Sequence, residues 1–154
     1  MTDELEPRGV TPHICVDGAA AALDFYARAF GAEELMRLPG PDGRLLHAAI
    51  RVNGAMVMIA DYYPEMGAHH PKSLGGTPVT LHLSVPDADA AIARAEAAGA
   101  TVVMPAQLMF WGDRYGMVRD PFGHDWAFAT PVEPKYGAEL EAAARNAMQT
   151  SHGA

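Results

Sequence analysis

The sequence predicts an α+β protein made of two βαβββ modules, and three observations predict it. Residues 11–16 (Thr-Pro-His-Ile-Cys-Val) and 80–85 (Thr-Leu-His-Leu-Ser-Val) share Thr, His and Val at a constant offset of 69. Each hexad leads into an Ala-rich amphipathic segment closed by Gly-Ala, at Gly31-Ala32 and at Gly99-Ala100. After each of these segments come short apolar runs separated by turn signals.

The elements follow in order. Leu23, Tyr26, Ala27 and Phe30 recur at i, i+3, i+4 and i+7, one face of a helix, and Ala88, Ile92 and Ala95 do the same more weakly. Asp17 and Asp87 stand where N-cap acceptors are expected, and Gly31 and Gly99 where C-caps are expected. Strands are predicted over 34–38 and 45–52, joined by Pro39-Gly40-Pro41-Asp42-Gly43, and Asn53-Gly54 turns the chain into a third over 55–60. In the second half, 101–104, 114–119 and 125–130 take the same roles, with a turn at Asp120-Pro121-Phe122-Gly123. One domain spans 8–131: module one is 8–63, a polar Pro/Gly-rich connection is 64–78, and module two is 79–131. An appendage over 132–154 contains a helix predicted at 138–148, with fraying last residues.

Composition fits one domain and excludes several classes. The chain has 154 residues, 49% of them hydrophobic, and 11 Lys+Arg against 19 Asp+Glu give a net charge of −8. That charge disfavours nucleic acid and anionic membrane as partners. Nine of the eleven cations are Arg, so single arginines carry more weight than any basic patch. Cys15 is the one cysteine, which excludes an intrachain disulfide and a cysteine-based zinc site. No apolar run approaches the ~20 residues of a membrane span. The opening residues lack a signal peptide's apolar core, and a cytoplasmic location is expected.

Strand alternation assigns faces. Ile14, Val16, Leu81, Leu83 and Val85 suit the side under the helices, so Thr11, His13, Cys15, Thr80, His82 and Ser84 share the other. A polar face built twice is more than packing requires, and it has the character of a cavity lining.

These residues, with Asp24-Phe25-Tyr26, Phe30-Gly31-Ala32, Asn53-Gly54, Ala97-Ala98-Gly99-Ala100 and Asp120-Pro121-Phe122-Gly123-His124, resemble the vicinal-oxygen-chelate superfamily over about 8–131. That superfamily includes glyoxalases, bleomycin-resistance proteins and extradiol dioxygenases. Trp111-Gly112-Asp113-Arg114-Tyr115-Gly116, followed by Asp120 to Trp126, is similar to its PhnB-like subgroup. The resemblance implies a curved mixed sheet around a cavity, with helices on the outer face. It also implies a homodimer, in which modules are sometimes exchanged. The superfamily's metalloenzymes hold a divalent ion with four side chains, typically His and Glu. Here the matching positions fall on Thr11, Thr80, Ala127 and, within one residue, Met58. None is a normal ligand for such an ion, so no metal or other cofactor is expected at the usual place.

Three roles remain open for the histidines. His13 and His82, joined by His47, could hold a shifted divalent metal; they could be hydrogen-bonded in a polar cavity; or they could recognise or protonate a ligand. The segment from Phe110 to Gly116 brings Trp111, Arg114 and Tyr115 together, suited to a planar or anionic small molecule by stacking and bidentate hydrogen bonding. Alternatively Arg114 pairs with Asp113, Asp120 or Asp125 while Trp111 covers the core. Gly112 and Gly116 would let this segment move as a lid. His69-His70 reads as solvated connection, His124 as a cap for backbone groups, and Cys15 as inert.

The expected function is sequestration of a planar or anionic small molecule without the usual metal, lined by Thr11, His13, Met58, Thr80, His82, Trp111, Arg114 and Tyr115. The alternative is a lyase, isomerase or dioxygenase using a metal at His13 and His82 or those histidines as an acid/base pair. A partner-binding role through the C-terminal helix ranks last, because it leaves the paired polar face unused.

Overall fold

A computed structural model describes residues 5–151; the first four residues and 152–154, where fraying was expected, lie outside the described residues. Module one runs β1 (His13–Val16), α1 (Ala19–Phe30), β2 (Glu33–Pro39), β3 (Leu45–Val52) and β4 (Ala55–Asp61). A 3-10 turn at Pro64–Met66 and the short α2 (Pro71–Leu74) form the connection. Module two repeats the order with β5 (Thr80–Ser84), α3 (Ala88–Ala98), β6 (Thr101–Leu108), β7 (Asp113–Arg119) and β8 (Asp125–Pro131), and α4 (Gly137–Ser151) follows. The predicted α+β architecture of two βαβββ modules is the one observed.

Each module forms its own four-stranded mixed sheet, ordered β1-β4-β3-β2 and β5-β8-β7-β6, with no closed barrel. The first pair of each is parallel and the rest antiparallel. The helices join the two sheets. Leu23, Phe25 and Tyr26 of α1 are buried in one core with Ile50, Val52 and Ile59 of the first sheet and Val118, Trp126 and Phe128 of the second. Phe30 packs at a tilt against Trp126 and Phe128, with ring centroids 4.5 Å and 5.8 Å away. Within one chain the modules therefore meet through their helix-covered faces, and β1 and β5 each keep one unpaired edge.

The helix ends show where local reading succeeds and fails. Gly31 and Gly99 do cap α1 and α3, and Asp87 accepts the Ala90 amide at 3.0 Å. Asp17 does not cap α1. The N-cap is Gly18, in the left-handed region at φ 106°, and Asp61 Oδ1 from the end of β4 accepts from the Gly18 and Ala19 amides, each at 2.9 Å. Thr130, 69 residues on, plays the equivalent part for α3: its hydroxyl oxygen accepts from the Ala88 amide at 2.8 Å and donates to the Val85 carbonyl.

Two further expectations change. His69 is exposed, as a solvated connection requires, but His70 is buried, its ring 4.5 Å from that of Tyr62 and its backbone locked to Ser73 Oγ. Glycines 112 and 116, expected as lid hinges, stand at closely packed positions. A Cβ on Gly112 would lie 1.9 Å from the Glu133 carbonyl oxygen, and one on Gly116 would lie 2.4 Å from Ile92 Cδ1 under α3. The Val132 and Glu133 amides both donate to the Gly112 carbonyl, pinning the start of the extension. No residue of α4 is buried. Among the described residues no helix is long and apolar enough to cross a membrane.

Candidate functional site

The sheet faces turned away from the helices carry the predicted polar residues, and strand register arranges them in matching rows. In module one His13 pairs with Met58, which pairs with Ala49, which pairs with Met36. In module two the corresponding row is His82, Ala127, Met117 and Met104. The neighbouring row toward the C-terminal ends of β1 and β5 holds Cys15 and Ala60, with His47 opposite Leu38 on the next strands. Its counterpart holds Ser84, Ala129, Tyr115 and Gln107. The small residues Ala49, Ala127 and Ala129 are buried at the floor of these faces, while His13 and His82 are exposed.

Each face has its own aromatic group. His13 meets His47 edge to face, with ring centroids 5.5 Å apart. His82 stacks on Tyr115 at 6.0 Å, and Tyr115 meets Trp111 edge to face at 5.5 Å. Trp111 Nε1 donates to Asp113 Oδ2 at 3.2 Å, which fixes the indole. The structure thus gathers Thr11, His13, Met58 and His47 on one sheet, and Thr80, His82, Trp111 and Tyr115 on the other. His13 and His82 lie on separate sheets of the chain.

Arg114 is a correction. Asp113–Arg119 is a strand, so Arg114 alternates to the face opposite Tyr115. There its guanidinium forms a two-point pair with Asp89 of α3 and donates to the Ala106 carbonyl at 3.2 Å. None of the three partners weighed from the sequence is used. Cations missed on the open faces are Arg51, two residues beyond Ala49, and its counterpart Arg119, two beyond Met117; alternation along β3 and β7 carries the signal for them. His124 keeps its expected backbone role, its Nε2 lying 2.8 Å from the Cys15 carbonyl oxygen.

Burial, followed by the neighbouring His47, lowers the His13 pKa from its ordinary value. Burial, followed by Asp61 and Asp17, raises that of the Cys15 thiol, in keeping with an inert cysteine. His13 is therefore expected to titrate below the ~6.5 of an unperturbed imidazole, and His47→Gln to move its midpoint upward. Because the native state keeps His13 neutral, stability falls as pH drops through the range where the unfolded imidazole takes its proton. NMR titration of the ring protons checks this, and an unmoved His13 midpoint in His47→Gln would contradict the pairing.

The sequence profile described as "Glyoxalase/Bleomycin resistance protein/Dioxygenase superfamily" matches residues 10–128, both modules almost end to end. The chain belongs to this superfamily. An uncharacterized protein of Mycobacterium tuberculosis (strain H37Rv) is 53% identical over 146 residues, covering 93% of this chain and 85% of that one. The crystal structure of TioX from Micromonospora sp. ML1 is 30% identical, with a TM-score of 0.62 over 80% of this chain and 100% of that one. A Bacillus cereus structure titled as a putative 3-demethylubiquinone-9 3-methyltransferase, PhnB protein, shares the fold at a TM-score of 0.63, with 18% identity over 80% of this chain and 99% of that one.

The superfamily's usual divalent ion can be tested against the residues present. Ala127 offers only a methyl group and is fully buried, Met58 a soft thioether, and Thr11 and Thr80 neutral hydroxyls. This donor set does not fit a hard or borderline divalent ion. Among the described residues no three His, Cys, Asp or Glu side chains of one chain converge on a metal-sized site.

Proposed function

We propose that this glyoxalase/bleomycin-resistance-type protein, of the PhnB-like subgroup, is a homodimer that binds a planar or anionic small molecule without the usual metal. Its cavity forms between module one of one protomer and module two of the other. The observation that carries the reading is the direction of the two polar faces: both turn away from the core that joins the modules, so each is half of a lining. His82, Tyr115 and Trp111 supply ring surface for stacking from one side. Thr11, His13, Met58 and His47 supply hydrogen bonds and an adaptable thioether from the other.

Complementation of two variants tests this. A ligand bound at about 100 times its Kd stabilises by about 2.7 kcal/mol, so screening by thermal shift with aromatic acids and amides reveals stabilising compounds. His13→Ala and His82→Ala should each abolish the shift, and so should Trp111→Ala. Mixing and re-equilibrating the two histidine variants should restore roughly a quarter of the sites, because a mixed dimer carries one intact composite cavity. Loss in neither variant, or no restoration on mixing, would contradict the reading.

A second reading is favoured by one contact. The His13–His47 pair, with its lowered His13 pKa, suits an enzyme of lyase, isomerase or dioxygenase type, using either an acid/base imidazole or a shifted ion held with His82 of the other protomer. Elemental analysis of zinc-treated protein carrying no histidine tag decides the metal form: about one metal per chain supports it and none removes it.

A further inference from the structure

We propose that module one contains a carboxylate-binding pocket centred on Arg51, one row along the open face from His13 and Met58. The inference rests on the cavity reading above and names the ligand's charged group. Two cavities of similar size occupy equivalent places in the modules. One, of about 410 Å³, lies between residues leading into β1 and the row of Thr11, Met56 and Arg51. The other, of about 450 Å³, lies between the connection at Lys72–Thr77 and the row of Thr101 and Arg119. Register makes Arg51 and Arg119 counterparts: Arg51 pairs with Met56 and Glu33, and Arg119 with Asp125 and Thr101.

The two rows differ beside the arginine at two positions, Met56 against Asp125 and Glu33 against Thr101. In module two Arg119 donates from Nε to Asp125 Oδ1 at 2.8 Å and from Nη2 to Oδ2 at 3.2 Å, a two-point pair with a side chain only 11% exposed. Module one has Met56 where Asp125 would stand. Among the described residues Arg51 there donates only from Nη1, at 2.7 Å, to Glu33, whose side chain is 65% exposed. Module one thus has its carboxylate on the exposed strand β2 and none at the β4 position where module two has Asp125 on β8. A ligand carboxylate lying over Met56 takes the place of Asp125, in the planar two-point geometry that a guanidinium favours.

The surroundings define the class. Val10, Leu35 and Met56 give the cavity apolar walls for the body of an organic acid. Its charged groups are Arg8 and Glu6 on the leading segment, and Arg51 with Glu33 beside it. Two cations and two anions leave the lining without net charge, so recognition rests on the two-point geometry of the Arg51 guanidinium, which a carboxylate matches, and a phosphate dianion is the more disfavoured by the two glutamates. Thr11 lines this cavity and adjoins His13, which makes the pocket one end of the composite site.

Calorimetric titration with benzoate and with its neutral analogue benzamide tests the pocket. Benzoate should bind the wild-type protein at least about tenfold more tightly than benzamide, a hydrogen-bonded charge being worth that much. Arg51→Gln should erase the preference. Met56→Asp should erase it too, by supplying the internal carboxylate of module two, whereas Glu33→Gln should strengthen it. Absence of benzoate binding, equal affinity for the two compounds, or a preference that survives both folded variants overturns the proposal. If His82→Ala removes both compounds while Arg51→Gln removes neither, the cavity reading stands and the Arg51 pocket falls. The reverse pattern retains the pocket and overturns the composite cavity.

Discussion

Asp120→Ala is expected to destabilise the protein by about 4 kcal/mol, at the upper end of what a single substitution does. The Asp120 carboxylate is 3% exposed and accepts four hydrogen bonds: Oδ2 from Tyr26 OH at 2.6 Å and Trp126 Nε1 at 2.9 Å, Oδ1 from the amides of Phe122 and His124. Tyr26 and Trp126 are fully buried, so alanine would strand two side-chain donors without water, each costing about 1–3 kcal/mol. The pair also spans the modules, since Tyr26 lies on α1 and Asp120 follows β7. Their burial, together with the Asp120 charge and hydrogen bond, raises the Tyr26 pKa well above its usual value, so the phenol remains a donor across the working range. Tyr26→Phe removes one donor and leaves the carboxylate three, and should cost about 1 kcal/mol. Urea unfolding of the three proteins measures both effects. An Asp120→Ala change under 1 kcal/mol would mean that the modules are held by their other contacts, among them the rings of Phe30, Trp126 and Phe128 and the His124–Cys15 hydrogen bond.

Much of this arrangement is legible along the chain, and the failures share a cause. The strand over 45–52 was placed to the residue because its ends are marked by a glycine turn and by Asn53-Gly54. The strand predicted at 101–104 continues through Pro105 to Leu108. That proline sits on β6, an edge strand, where its missing N–H can face away from the ladder. The polar faces followed from period two alone, as Thr80, His82 and Ser84 show. Arg114 failed because it was grouped with the aromatic residues beside it, although it opens the strand predicted over 114–119, where alternation sends the guanidinium toward α3. His70 failed because Pro and Gly neighbours describe local conformation and say nothing of Tyr62 packing on the ring. The direction of the two faces depends on how the helices of the modules meet, which no local pattern encodes.

The same limit explains the second large effect. Asp61→Ala is expected to cost about 3 kcal/mol, although neither its sequence neighbours nor any helix-start pattern marks it. Asp61 is 5% exposed, and besides the Gly18 and Ala19 amides its Oδ2 accepts from the Leu45 amide at 2.7 Å. It therefore fastens the start of α1 to the first residue of β3 as well as capping the helix, and alanine would leave three buried or part-buried amides unpaired. A charged acceptor is also favoured at the positive end of a helix, which adds a few tenths to one kcal/mol. Module two shows how much of this a neutral side chain can do, since Thr130 holds α3 by a single amide at the matching position. Asp61→Thr should accordingly recover about a third of the loss, retaining one amide hydrogen bond of the three. A second readout separates capping from general damage. Asp61 is the second cause, after burial, of the raised Cys15 pKa, so its removal should increase the rate of thiol alkylation at fixed pH while the protein stays folded. If Asp61→Ala and Asp61→Thr lose equal stability, the α1 amides must find water, and the carboxylate is a packing group rather than a cap.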